Sequence, residues 1–340
     1  MIAVDGAPKI SVIVTCYNLG TWLDESVGSV LAQTCQDFEV IVVDDGSTDP
    51  ATQAIVAGYR RPGVRVVRTG HAGVAAARNA GLSLARGEYL CILDADDRLH
   101  PSFFEKAVRV LDADTSVTFV GAWLRAFGDE EWEWKPERCD LQTLLCEDTV
   151  LTAALVRKEA VVGAGGFDTA MPVQGDDDWD LWLTLLERGA RGVILREVLY
   201  DYRRRAGSVS TVCWHGAGHL PLARYRLAKH EATYRAHLED VLERQDGETA
   251  ALLRRNDELE RRIAAELEPM VALRRNELAS LQSRLDAPHA PAADARAREL
   301  EAALHAATAE VAALRQSASW RITAPLRGAY GWWLRQRGAP

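Results

Sequence analysis

"EYLCILDADD", Glu88 to Asp97, sets five consecutive apolar residues, Tyr89 to Leu93, against three carboxylates in the next four positions, Asp94, Asp96 and Asp97. A short unbroken apolar run that ends in turn formers reads as a strand buried on both faces. Carboxylates crowded at the end of such a strand repel one another unless positive charge sits opposite. A hard divalent ion, Mg²⁺ or Mn²⁺, binds through one or two carboxylates together with phosphate oxygens, which makes Asp96 and Asp97 candidate metal ligands. The competing reading is a turn and helix cap before "RLHPSFFEKAV", a role that Asp97 also suits.

Related runs precede it in the chain. "KISVIVTCYN" (Lys9 to Asn18), "FEVIVVDDGSTD" (Phe38 to Asp49) and "VRVVRTG" (Val64 to Gly70) are strand-like runs. Between them lie helical stretches, "TWLDESVGSVLAQT" with Leu23, Val27, Val30 and Leu31 on one stripe, and "GVAAARNAGLSLARG" closed by Gly87. Strands that alternate with helices predict an open, mostly parallel α/β sheet flanked by helices. Ligands in such sheets sit outside the carboxyl ends of the strands. "VVDDGSTD" there suits recognition of a ribose or a base, since carboxylates accept from hydroxyls and ring N–H groups. It equally suits a capping loop before "PATQAIVAGY".

Composition narrows the classes. With 340 residues, room exists for roughly two domains of about 150 each. A net charge of −9 argues against nucleic-acid binding, which is built on clustered Lys and Arg. The six cysteines form no CxxC pair, and the N-terminus has no basic stretch followed by an apolar one, so free thiols and a cytoplasmic location are expected. No apolar run reaches the ~18 residues a membrane span needs.

Character changes near Arg224, so 1–224 is read as one α/β domain. Residues 225–286 are rich in Leu, Glu, Arg and Ala, with Tyr234, Leu238, Val241, Leu252, Leu259 and Ile263 on a helical seam that Gln245, Glu248 and Arg255 interrupt. Pro269 is expected to break or kink that helix. A linker at 287–295 and a second helix at 296–319, carrying Leu300, Leu304, Val311 and Leu314, complete the segment. Solvated stalk and dimerising coiled coil both fit. The stretch 320–340 holds Trp320, Tyr330, Trp332 and Trp333 with four arginines and no acid, a composition suited to a membrane interface or to docking on the protein itself.

"GDDDWDLWLTLLERG", Gly175 to Gly189, places Asp176, Asp177, Asp178 and Asp180 at the start of an apolar helix. Each could cap it, Asp176 and Asp177 best. Taken in order, "SVIVTCYN", "VIVVDDGSTD", "GVAAARNAG", "GEYLCILDADD", "GGFD" and this last stretch resemble the family-2 glycosyltransferases of the GT-A fold. The resemblance runs from about Lys9 to Ser210. It implies an inverting sugar transfer from a UDP-, dTDP- or GDP-linked donor to a hydroxyl of a glycan or lipid-linked glycan, with Mg²⁺ or Mn²⁺. Thr15 and Tyr17 would then flank the base and Asp45 or Asp44 accept from it, with Arg78 near the phosphates. Asp94, Asp96 and Asp97 match the region that holds ribose, metal and diphosphate. Gly166 and Phe167 of "GGFD", with Asp177 and Trp179, fall on the acceptor side, and Asp178 matches the catalytic base. "YRRRAGSVS" departs from the family, where a histidine is usual: Arg205 cannot ligate a metal, but it can pair with a diphosphate. His215 and His219 could supply a ligand or be ordinary surface histidines. The tail "SASWRITAPLR" resembles ends found on bacterial surface-polysaccharide enzymes, which implies a peripheral membrane position. The rival reading is a non-catalytic scaffold that works through its helical tail.

Overall fold

A computed structural model describes residues 6–205, 208, 219–285 and 291–316. The expected interface stretch 320–340, His215 and the 287–290 part of the expected linker lie outside these residues. The chain forms two compact units, Met1–Val241 and Leu242–Pro340.

The first unit opens with β1 (Ile10–Cys16), α1 (Gly20–Leu31), β2 (Phe38–Asp44), α2 (Pro50–Gly58), β3 (Val64–Arg68), α3 (Val74–Leu84) and β4 (Tyr89–Asp94). These strands lie in the order β3-β2-β1-β4, all parallel. All of β1 is buried: Val12 and Val14 enter one apolar cluster, while Ile13 enters the other on the opposite face. That two-sided burial is why the strand reads as an unbroken apolar run. The register pairs Thr15 with Asp94 and Cys16 with Asp44, so the polar ends of three strands meet at one edge.

The rest departs from the expected mostly parallel sheet. It comprises β5 (Arg98–Leu99), α4 (Phe103–Ala113), β6 (Phe119–Gly128), β7 (Trp132–Trp134), α5 (Leu141–Leu144), β8 (Leu155–Arg157), α6 (Lys158–Ala164), α7 (Asp177–Glu187) and β9 (Gly192–Arg204). Here β8 inserts antiparallel between β4 and β6, β9 runs parallel to β6, and β5 and β7 pair antiparallel with β9 and β6. The sheet is therefore mixed. Three-residue strands such as β7 and β8 are too short to show a period, which hides their direction from the sequence. Helices α8 (His219–Lys229) and α9 (Glu231–Ala236) close the unit, and position 224 lies inside α8.

The second unit holds most of α10 (Leu238–Arg262), then α11 (Glu268–Leu285) and α12 (Pro291–Gln316). Near Pro269, where a break or kink is expected, the helix passes through a π-helical turn, Ile263–Leu267, and continues. Proline has no N–H to give the carbonyl four residues back, and the wider turn absorbs that loss. Leu259, Ile263, Leu267, Leu300 and Ala307 are buried, and Arg262 bridges to Glu310 at 3.0 Å. Of the expected seam, Leu259 and Ile263 are thus buried within this chain, whereas Leu238 is exposed. No helix among the described residues is long and apolar enough to cross a membrane.

Gly87 turns the chain into β4 against the backbone of β1; a Cβ there would lie 2.5 Å from the Ser11 nitrogen. Backbone cannot yield as a side-chain tip can, so Gly87→Ala is expected to cost about 1–3 kcal/mol, measured as a lowered urea midpoint.

Candidate active site

At the carboxyl edge of the parallel strands, Thr15 Oγ donates to Asp94 Oδ1 at 2.7 Å, tying the end of β1 to that of β4. Asp44 and Asp45 divide their work. Asp44 is fully buried; its Oδ1 accepts the Ser47 N–H at 3.0 Å, and Arg68 stands 3.3 Å from its other oxygen. It builds the turn. Asp45 accepts from the N–H groups of Ala72 and Gly73 at 3.0 and 2.9 Å and meets His71 Nδ1 at 3.0 Å. That contact brings the His71 ring onto Tyr17, with centroids 4.1 Å apart and planes within 13°. Tyr17 is 37% exposed, so the stacked pair offers a flat aromatic platform at the edge. His71 escaped the sequence reading, because nothing in "TGHAG" separates it from a loop histidine.

The "DADD" turn is asymmetric. Asp97 points inward: Oδ1 accepts the Arg203 N–H at 2.7 Å and Oδ2 accepts the Tyr200 hydroxyl. Burial, with Asp96 and Asp94 adding, pushes its carboxyl well above the usual range. Asp97 therefore anchors β9 rather than facing the edge, contrary to its expected place as a metal ligand. Asp96 pairs with Arg205 Nε at 2.7 Å, and burial followed by Asp94 raises its carboxyl against that partner. Asp94 is the more open of the two, its side chain 32% exposed. No group of three or more His, Cys, Asp or Glu is placed to hold a metal among the described residues. Asp94 and Asp96 alone fit the two-carboxylate mode in which phosphate and water complete the shell of a hard cation.

Arg78 and Asn79, consecutive on α3, bind this edge to the next element. Arg78 is buried rather than open to a phosphate; it gives Nη1 to Asp177 at 2.6 Å and sets Nη2 3.5 Å from Asp94. Burial opposes its charge, yet Asp177 and Asp94 outweigh that and hold it protonated. Asn79 clamps the "GGFD" loop, its amide giving to the Phe167 carbonyl at 2.7 Å and its oxygen accepting the Phe167 N–H at 2.8 Å. Gly166 sits at φ +81°, and a Cβ there would lie 2.5 Å from the Asn79 oxygen. Phe167 and Trp179, expected beside an acceptor, are core residues instead. Trp179 gives its indole N–H to the Leu144 carbonyl at 2.7 Å, and Arg226 covers its ring.

The four aspartates of α7 and its entry part company. Asp176 has φ 59° and makes no capping hydrogen bond; it pairs with Arg226 at 2.6 Å. Asp177 pairs with Arg78, and burial, opposed by Arg78 but reinforced by Asp178, lifts it to about 6. Asp180 is buried between Lys229 at 2.7 Å and His230 at 3.1 Å. Burial disfavours charge on both cations, but Asp168 and Asp180 around Lys229, and Asp180 and Glu187 around His230, raise them overall. Asp178 differs. Among the described residues no cation bridges to it, and its oxygens accept only from the Thr152 hydroxyl and the Trp179 N–H. Half-buried Asp148, whose carboxyl is pushed well up by burial and then by Asp178, lies in its field. The helix N-terminus favours negative charge here.

Because Asp177 binds its proton more tightly folded than unfolded, its contribution to stability is greatest below about pH 4 and fades as pH rises through about 6. Arg78→Met should cost about 3–5 kcal/mol at pH 7 by stranding buried carboxylates. It should cost less at pH 5, where Asp177 is protonated; urea melts at both pH values measure the difference.

Residues 11–166 match the model for "Glycosyl transferase family 2". A Bacillus subtilis protein provisionally named as glycosyltransferase EpsE is 30% identical over 211 residues, covering 59% of this chain and 74% of its own length. The B. subtilis protein provisionally named as the teichuronic acid biosynthesis glycosyltransferase TuaG is 30% identical, over 62% of this chain and 84% of its own. The succinoglycan biosynthesis protein ExoO of Rhizobium meliloti is 30% identical, over 62% and 65%. Among solved structures, Staphylococcus aureus TarS 1-349 in complex with UDP-GlcNAc superposes with a TM-score of 0.51 at 22% identity, over 60% of each chain, a likeness of fold. The chain belongs to glycosyltransferase family 2 and is an enzyme that takes its sugar from a nucleotide-sugar donor.

Proposed function

We propose an inverting transfer in which Asp178 takes the proton of the acceptor hydroxyl. The observation that carries this reading is the sorting of charge on α7: Asp176, Asp177 and Asp180 each hold a cation, and Asp178 holds none among the described residues. A general base must be a carboxylate that is not already bound to a cation and can meet the reacting proton. The acceptor oxygen attacks the anomeric carbon as the bond from that carbon to the diphosphate breaks. The bonding pair leaves with the diphosphate, and the proton passes to Asp178.

On the donor side, the Tyr17–His71 platform suits a base, and Asp94 suits the ribose or a cation. A divalent ion held by Asp94 and Asp96 would stabilise charge on the departing diphosphate. Arg78 acts behind this surface, holding Asp94 and Asp177 in register across the two halves of the site.

The names of the relatives, succinoglycan and teichuronic acid biosynthesis among them, support a role in bacterial surface-glycan assembly; UDP-, dTDP- or GDP-sugars as donors are what the resemblance to the family implies. A lipid-linked acceptor, and a peripheral membrane position through 320–340, rest on the composition of that stretch and on the resemblance of "SASWRITAPLR".

Asp178→Asn keeps shape and removes the base. Transfer from a panel of nucleotide sugars should fall by about 10²-fold or more, while calorimetry shows donor binding unchanged. A variant of wild-type activity would refute the assignment.

A further inference from the structure

Three arginines stand at the end of β9 and just past it, and they are used differently. Arg203 gives its backbone N–H to Asp97, its Nε to the Asp96 carbonyl and Nη2 to Glu25. Arg204 reaches Glu130 at 3.3 Å. Arg205 alone of the three puts its guanidinium on a carboxylate of the "DADD" edge, 2.7 Å from Asp96 Oδ2, while the Trp22 ring lies 5.4 Å beneath it. Its side chain is 26% exposed and that of Asp96 10%, so solvent screens the pair only in part.

An incoming cation at Asp94 and Asp96 meets an oxygen that already has a positive partner. Resting on the donor-site reading above, we infer that Arg205 is a built-in counter-ion of Asp96, which a divalent cation displaces and which then turns to the diphosphate of the nucleotide. A guanidinium pairs with phosphate oxygens through two parallel N–H groups, so the exchange trades one anion for another. The Trp22 ring, which Arg203 also faces at 5.7 Å, gives the released guanidinium a resting surface. Two consequences follow. Without nucleotide the protein holds divalent cations weakly, and nucleotide and cation strengthen each other's binding because each relieves what the other must overcome.

The test is the electron paramagnetic resonance signal of free Mn²⁺, titrated with the full-length protein with and without UDP. Without nucleotide, Arg205→Ala should bind Mn²⁺ about tenfold more tightly than the wild type, the scale of one partly screened ion pair. UDP should tighten Mn²⁺ binding in the wild type and much less in the variant. Asp96→Asn added to Arg205→Ala should abolish the gain. Arg205→Gln, which keeps the bulk, should shift the same way and guards against a folding defect in the alanine variant. Equal Mn²⁺ affinity of wild type and both Arg205 variants would overturn the proposal, as would an undiminished UDP effect in them. Tighter Mn²⁺ binding by the variants without any nucleotide binding by the wild type would leave the displacement standing and overturn the donor-site reading instead.

Discussion

Arg78 is the interaction on which the two halves of the site depend. One buried guanidinium stands between Asp94, at the end of β4, and Asp177, at the start of α7, residues far apart in the chain. Either carboxylate alone would be costly at a desolvated edge. Between them they make the burial of Arg78 tolerable, and it makes theirs tolerable. Reciprocal compensation of this kind fixes geometry more firmly than apolar packing, since a small displacement exposes an unpaired charge. Asn79 extends the constraint to the "GGFD" loop, so one turn of α3 aligns three separate pieces of the edge.

The rest of α7 follows the same logic with partners from elsewhere. Arg226, Lys229 and His230 come from α8 and the turn after it, and they neutralise Asp176 and Asp180. What is left over is Asp178, lodged between a hydroxyl and a backbone N–H. An acidic helix start therefore resolves into three structural carboxylates and one that remains available. Asp180, which the sequence alone leaves without a role, is part of the scaffold.

How much of this is legible beforehand depends on range. The strands β1, β2 and β4 announce themselves because both faces are buried, and their carboxylates announce themselves by standing at the strand ends. The aspartates of α7 and its entry are visible as a cluster, but their differences are not, since three of them are defined by a cation 49 to 99 positions away. Phe167 and Trp179 mislead for a related reason: neighbours in sequence to the site, they point the other way, into the core. His71 becomes informative only once Tyr17 lies against it and Asp45 holds it. The seam near Leu259 shows its spacing in sequence, but not that Leu259 and Ile263 are buried within the chain itself.

The separation between Asp176 and Arg226 has a consequence for the newborn chain. They stand 50 positions apart, so a ribosome delivers the acidic start of α7 several seconds before its cations, at ~5–20 residues per second. During that interval Asp177 can already find Arg78, whereas Asp176 and Asp180 have only water and the helix end. The sheet can form while this corner is still unfinished. Chain order therefore makes the arrival of α8 the last event in building the edge that carries Asp178.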